Sequence, residues 1–135
     1  MLFRSLAKKA KPEDITSLQE LAQGCLDAAR SGNSGAAFEA DGLFHLEIAK
    51  RCGNPYIYSI LKNLEAKIQL IRMMNCSPKI IISDIKIHNR IIEAIEANDP
   101  KTASALMQKH IGNFIDHTSP QSVKKRRHPA AKAIS

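Results

Sequence analysis

The chain has 135 residues, of which 44% are hydrophobic and 24% charged, a balance typical of one soluble globular domain and not of a collagenous or wholly disordered protein. It has no run of about 18 apolar residues, which excludes a membrane-spanning helix. A charge follows within the first four residues, which argues against a secretory signal peptide. The three cysteines are too far apart for a CxxC motif, so we expect buried, reduced thiols in a cytoplasmic protein.

The formal net charge of +7 is divided unevenly along the sequence. Residues 1–117 carry 15 Lys and Arg against 13 Asp and Glu, a net of +2, whereas residues 118–135 carry 5 basic residues and no acid, a net of +5. The second segment is also rich in Ser, Pro and Ala, and such a segment cannot bury enough apolar surface to offset the entropy lost on ordering. We therefore predict one folded domain over residues 1–117 and a basic disordered tail over residues 118–135.

Helical patterns follow one another along the folded part, and strand patterns are almost absent. Prolines and glycines mark the boundaries, because proline suits the first position of a helix and glycine its end. The predicted helices cover about residues 2–10, 12–30, 35–51, 55–74, 79–97 and 100–117. With short connections between them, this order predicts an all-α antiparallel bundle of about six helices.

The predicted fourth helix has an apolar stripe that we expect to face the core. Its members recur at spacings of three and four residues: Ile57, Leu61, Leu64, Ile68 and Ile71. Arg72 follows directly after this stripe, either as a bidentate partner for the carboxylate of a bound ligand or as a solvated helix end. We expect inward Ile and Met side chains to fill the remaining interior, which favours a compact ligand over a long acyl chain.

Histidines interrupt three of the apolar helix faces. Asp41 and His45 lie one turn apart on the third helix, His88 lies on the apolar face of the fifth, and His110 lies on that of the sixth. One inward histidine is common in a core, but a buried carboxylate needs a partner, and a metal cation is one of the few that suffice. We predict one divalent metal ion bound by these four side chains, with Zn, Ni, Mn and Fe all possible. Asp84, four residues before His88, is an alternative ligand or an orienting partner of that histidine.

These residues also match a family pattern of separated sequence blocks. The blocks are DGLFH at 41–45, GNP at 53–55, then His88, IEAI at 92–95, Asp99, Ala103, Met107 and HI at 110–111. In this order and spacing, the chain resembles the FadR C-terminal (FCD) ligand-binding domain of GntR-type bacterial transcription regulators over about residues 2–117.

The resemblance implies a regulatory protein and not an enzyme. In the metal-binding branch of that family, the positions equivalent to Asp41, His45, His88 and His110 hold one metal ion, and a small carboxylate effector binds beside it. The family also implies a homodimer that contacts DNA through a winged-helix domain. This sequence contains no such domain, so we expect a fragment, a truncated gene product or a stand-alone sensor. Ile87 and Leu46 depart from the family pattern, which leaves the identity of the effector open.

The alternative function from another class is a metallohydrolase, because three imidazoles can also hold a metal-activated water molecule. No HExxH arrangement supplies a general base beside the ligands, which argues against it. A nucleic-acid binder acting through the basic run at residues 124–127 is a weaker alternative, because that run contains no aromatic residue.

Overall fold

The computed structural model of the protein describes residue 6, residues 8–75 and residues 78–118, with side chains for 6, 8–74, 82–113 and 115–116. This part contains five helices and no strand. The helices are α1 (Pro12–Arg30), α2 (Ser34–Arg51), α3 (Pro55–Asn75), α4 (Pro78–Glu96) and α5 (Pro100–Thr118). The predicted all-α bundle is confirmed, with five helices in place of six. Most of the predicted first helix and residues 119–135 lie outside the described residues, although Leu6, Lys8 and Lys9 are helical.

The helix boundaries follow from local capping. Gly32 and Gly53 have φ angles of +80° and +76°, the left-handed conformation that ends α1 and α2. The Asn54 side chain accepts hydrogen bonds from the first backbone amides of α3, at 3.1 and 3.2 Å. Asp99 caps α5 in the same way, accepting from the backbone N–H of Thr102 at 3.0 Å. These short caps turn the chain sharply and allow successive helices to pack side by side.

The closed hydrophobic core lies among α1, α2, α4 and α5. Its most deeply buried side chains are Leu18, Phe44, Ile91, Ile92 and Ile95. Cys25 and Cys52 are buried, as predicted, and form no disulfide among the described residues. The side chain of Cys76 lies outside the described residues. None of the described helices is long and apolar enough to cross a membrane. Helix α3 packs mainly against α2 and contacts α5 only sparsely.

The predicted inward face of α3 is correct for Ile57, Leu61 and Ile68, which are half-buried, and wrong for its two other members. Leu64 and Ile71 are 45% and 42% exposed, whereas Glu65 and Arg72 are each only 9% exposed. The face that points inward therefore runs through Leu61, Glu65, Ile68 and Arg72, which is also a helical stripe with spacings of four, three and four. Apolar spacing alone allows either face, and pairing between Arg72 and a buried carboxylate of α2 decides between them.

Candidate metal centre

Helix α2 supplies two of the polar side chains in the bundle interior. Asp41 and His45 lie four residues apart, so both side chains leave the same face of the helix. Phe44 lies between them in sequence and stacks on the ring of His88, with ring centroids 4.1 Å apart and planes inclined by 20°. This contact fixes the orientation of the His88 ring, which arrives from α4. The aromatic residue of the DGLFH block therefore positions a histidine of another helix.

The three histidines turn the same nitrogen, Nε2, toward one another. The Nε2 atom of His110 lies 3.1 Å from that of His45 and 3.2 Å from that of His88. Oδ1 of Asp41 faces the same space, at 2.9 Å from Nε2 of His88, 3.5 Å from that of His45 and 3.6 Å from that of His110. The structure therefore brings together all four side chains predicted from the helix faces, and their ligand atoms lie within 4.8 Å of one another.

These spacings are those of ligands around a single cation. Two neighbouring ligands with metal bonds of about 2.1 Å stand about 3.0 to 3.4 Å apart in octahedral or tetrahedral geometry. Neutral imidazoles that direct lone pairs at one point repel each other unless a proton or a cation lies between them. Among the described residues, Nδ1 of His88 and Nδ1 of His110 have no hydrogen-bond partner. A tautomer with its proton on Nδ1 leaves each Nε2 free to bind a metal.

Burial and charge shape the protonation of this group. Burial acts to raise the pKa of Asp41, but the charge of His45 and hydrogen bonds from the three histidines hold the pKa well below its usual value. Burial lowers the pKa of His88 to about 4, and the hydrogen bond with Asp41 only partly opposes this. At neutral pH the group therefore contains an ionised carboxylate and an uncharged His88, the forms that bind metals.

Arg72 of α3 holds the second oxygen of the same carboxylate. Its Nη1 atom donates to Oδ2 of Asp41, while Oδ1 faces the histidines. Of the two alternatives for Arg72, the solvated helix end is wrong, because the side chain is buried. The arginine compensates the buried charge of Asp41 and orients the carboxylate, as outer partners of metal ligands commonly do.

A cavity of about 450 Å³ opens beside the four side chains. His45 and His110 form part of its wall, together with Arg72 and Glu65. The rest of the wall is apolar and comes from α2, α3 and α5: Ile48, Ala49, Ile57, Ile60, Leu61, Leu64, Ile68, Met107, Ile111 and Ile115. The expectation that inward Ile and Met side chains fill the interior is therefore wrong, because several of them line an open space instead.

Glu65 is a residue of this site that the sequence analysis missed. It is buried in the cavity wall, and its carboxylate lies against Gly42 of α2, one residue from Asp41. A Cβ atom on residue 42 would stand 2.6 Å from Cδ of Glu65, so the glycine makes room for the acid. Burial raises the pKa of Glu65, although the charges of Arg72 and His45 favour its ionised form. Glu65 and Arg72 are seven residues apart, which is about two helical turns, so both lie on one face of α3. This spacing is the sequence signal that could have identified Glu65.

One other sequence candidate, an aspartate of α4, stands apart from the group. Asp84, the alternative ligand, accepts a hydrogen bond from Nδ2 of Asn113 at 3.2 Å, and it is absent from the cluster that the described side chains form. Asp41 is thus the aspartate that meets the histidines.

A family model of the FCD domain matches residues 1–113 of the sequence. The chain belongs to the FCD domain family. The predicted resemblance is confirmed. Membership in this family supports a regulatory, effector-sensing domain of a transcription regulator. It confirms the prediction that the domain is not an enzyme, and the alternative of a metallohydrolase has no support.

A solved structure with the same fold is that of E. coli McbR/YncC. It superposes on 90% of this chain with a TM-score of 0.79 at 18% sequence identity. An identity this low shows a shared fold and nothing further about ligand or metal. The FCD chain spans 62% of the length of that structure. No curated protein sequence matches this chain.

Proposed function

We propose that this FCD domain senses a small carboxylate effector at a metal ion held by Asp41, His45, His88 and His110. The observation that carries the proposal is the convergence of one carboxylate oxygen and three imidazole nitrogens at the edge of a cavity. Two of the proposed ligands, His45 and His110, belong to the cavity wall as well. A molecule inside the cavity therefore lies next to the proposed metal position.

The donor set fits a divalent ion of the first transition series. Imidazole nitrogen suits Zn, Ni and Fe, and a carboxylate adds Mn to that range, so the identity of the metal stays open. Such an ion, when bound, supplies positive charge and open coordination positions to a carboxylate ligand. The protein contributes orientation: Arg72 holds Asp41 from one side, and Phe44 holds His88 by stacking. The four proposed ligands come from three separate helices, α2, α4 and α5.

The cavity couples ligand binding to helix packing. Its wall includes residues of α2, α3 and α5, and α3 contacts α5 only sparsely. A ligand that touches both helices favours the arrangement in which they are close, and differential affinity of this kind shifts a conformational equilibrium. In the complete regulator, we expect this shift to reach a separate winged-helix DNA-binding domain across a cytoplasmic homodimer.

The experiment is a thermal-shift screen of small carboxylic acids against the purified protein, with and without chelator. A binding acid at about 100 times its dissociation constant stabilises the folded state by roughly 2.7 kcal/mol. For a domain of this size, that gain corresponds to a rise in Tm of several degrees. We expect the rise only in the metal-loaded protein. Equal shifts with and without chelator, or no shift with any carboxylate, would contradict the proposal.

A further inference from the structure

Three polar side chains of the cavity wall meet at one place. Nε2 of His45 and Nε2 of His110 lie 3.5 and 3.6 Å from Oδ1 of Asp41, and Arg72 donates to Oδ2 of the same carboxylate. All three wall residues therefore converge on a single aspartate of α2. This end of the cavity supplies positive charge, from Arg72 and from the proposed metal ion, and so suits the carboxylate of a ligand.

The carboxyl group of Glu65, the other polar residue of the described wall, is packed against α2. Its Oε1 atom has almost no accessible surface and lies against Gly42, and Gln69 is a hydrogen-bond partner of the same group. This oxygen is therefore unavailable to a ligand in the cavity. The ten remaining residues of the described wall are apolar.

The apolar part of the wall extends along α3. This helix contributes wall residues from Ile57 to Arg72, a separation of 15 residues that corresponds to roughly 22 Å at the rise of an α-helix. The cavity volume of about 450 Å³ is within the range of sites that enclose most of a drug-sized ligand. An acid as small as lactate or succinate would occupy the polar end and leave much of the apolar wall uncovered.

Apolar side chains on both sides of the cavity are partly exposed to solvent. Ile60 and Leu64 of α3 are 60% and 45% exposed, and Ile111 and Ile115 of α5 are 48% and 58% exposed. The two helices contact each other only sparsely. A hydrocarbon group between them would cover this surface, and removing it from water is worth roughly threefold in affinity for each methylene group of the ligand.

We propose that the effector is a monocarboxylate with an extended hydrocarbon body that lies between α3 and α5. This replaces the expectation of a compact ligand, because the Ile and Met side chains of the wall line the cavity and do not fill it. Dicarboxylates and polyhydroxy acids are disfavoured, since their further polar groups would lose water against an apolar wall. The inference rests on the proposed function, because it takes the effector carboxylate to lie at the metal-ligand group.

The test is isothermal titration calorimetry of the Zn²⁺-loaded full chain with butanoate, hexanoate and octanoate. Octanedioate, which has a second carboxylate in place of the terminal methyl group of octanoate, is titrated in parallel. Each titration is repeated on protein treated with chelator. Metal content after titration shows that no acid has removed the ion.

We expect the affinity of the metal-loaded protein to rise roughly threefold with each methylene group from butanoate to octanoate. Octanedioate should bind roughly tenfold more weakly than octanoate. Metal-dependent binding with equal affinity for the three monocarboxylates, or for octanoate and octanedioate, would overturn the inference and leave the proposed function intact. No binding to the metal-loaded protein, or equal binding after chelation, would overturn the proposed function and the inference with it.

Two leucines of α3 provide a matched pair of variants. Leu64 belongs to the cavity wall and Leu70 does not, although they are exposed to a similar extent, 45% and 60%. Leu64→Gln should lower the affinity for octanoate several-fold more than the affinity for butanoate, whereas Leu70→Gln should leave both unchanged.

A variant of the opposite wall keeps the test decisive if Leu64→Gln does not fold. Ile115→Gln, on α5, should also lower the ratio of the octanoate affinity to the butanoate affinity. The same ratio in wild type and in the folded wall variants would mean that the hydrocarbon body binds elsewhere, and the inference would be overturned.

Discussion

The two sides of the bundle use apolar residues in different ways. Around Phe44, Ile91 and Ile92, side chains from α1, α2, α4 and α5 form a closed core with almost no exposed surface. On α3, Ile60 and Leu70 are each 60% exposed. Ile60 and the half-buried apolar residues of this helix border a cavity. Both sides have helical hydrophobic periodicity in sequence, yet only one is packed for stability.

The difference follows from which partners each helix has. Helices α1 and α4 contact each other and further helices, so their apolar faces are covered. Helix α3 packs against α2 and meets α5 only sparsely. Its inward face carries two charged residues, Glu65 and Arg72, where a core helix would carry apolar ones. The sparse contact between α3 and α5 is therefore the structural basis of the cavity.

The largest expected effect is in the closed core. Ile92 is 2% exposed, and Ile92→Ala removes packed methyl groups and leaves a cavity, which costs about 2 to 5 kcal/mol of unfolding free energy. The matched substitution Ile60→Ala, at a position of α3 that borders the cavity and is 60% exposed, should cost less than about 1 kcal/mol. Urea denaturation of the two variants measures both values. Similar losses would mean that α3 is packed as tightly as the core.

A second prediction concerns pH and the metal-free protein. Because burial lowers the pKa of His88 to about 4 from 6.5, the unfolded chain binds this proton at a higher pH than the native chain does. The contribution of neutral His88 to the free energy of unfolding is therefore fully present above pH 6.5 and is lost as the pH falls toward 4. The unfolding free energy should fall by up to about 3 kcal/mol over that range.

The control for this prediction is His88→Gln, which cannot titrate. Glu65 acts in the opposite sense, because burial raises the pKa of its carboxyl and so favours the folded state as the pH falls. The difference between wild type and His88→Gln at each pH isolates the contribution of the histidine. The same difference at pH 4 and at pH 7 would contradict the placement of His88 in the dry interior.

The closed core and the cluster of one aspartate and three histidines could be predicted from the sequence, and the cavity could not. Proline and glycine positions gave the boundaries of the five described helices to within one or two residues, because capping is a local property. Asp41 and the three histidines occupy positions of the helical repeat that are otherwise apolar, so the hydrophobic periodicity identifies them. Glu65 was missed and Arg72 was left with two alternatives, because the periodicity of α3 fits two neighbouring faces. Only the pairing of Arg72 with Asp41, a contact distant in sequence, selects the correct one.

The metal content of two matched aspartate variants tests the central claim most directly. Asp41 and Asp84 each stand four residues before a histidine, but only Asp41 faces the cluster of three Nε2 atoms. Elemental analysis of protein purified without chelator should give about one divalent ion per chain in wild type and in Asp84→Asn. We expect near-zero content in Asp41→Asn and in the double variant His88→Ala/His110→Ala. Full metal content in the double variant would contradict a metal site formed by these four side chains.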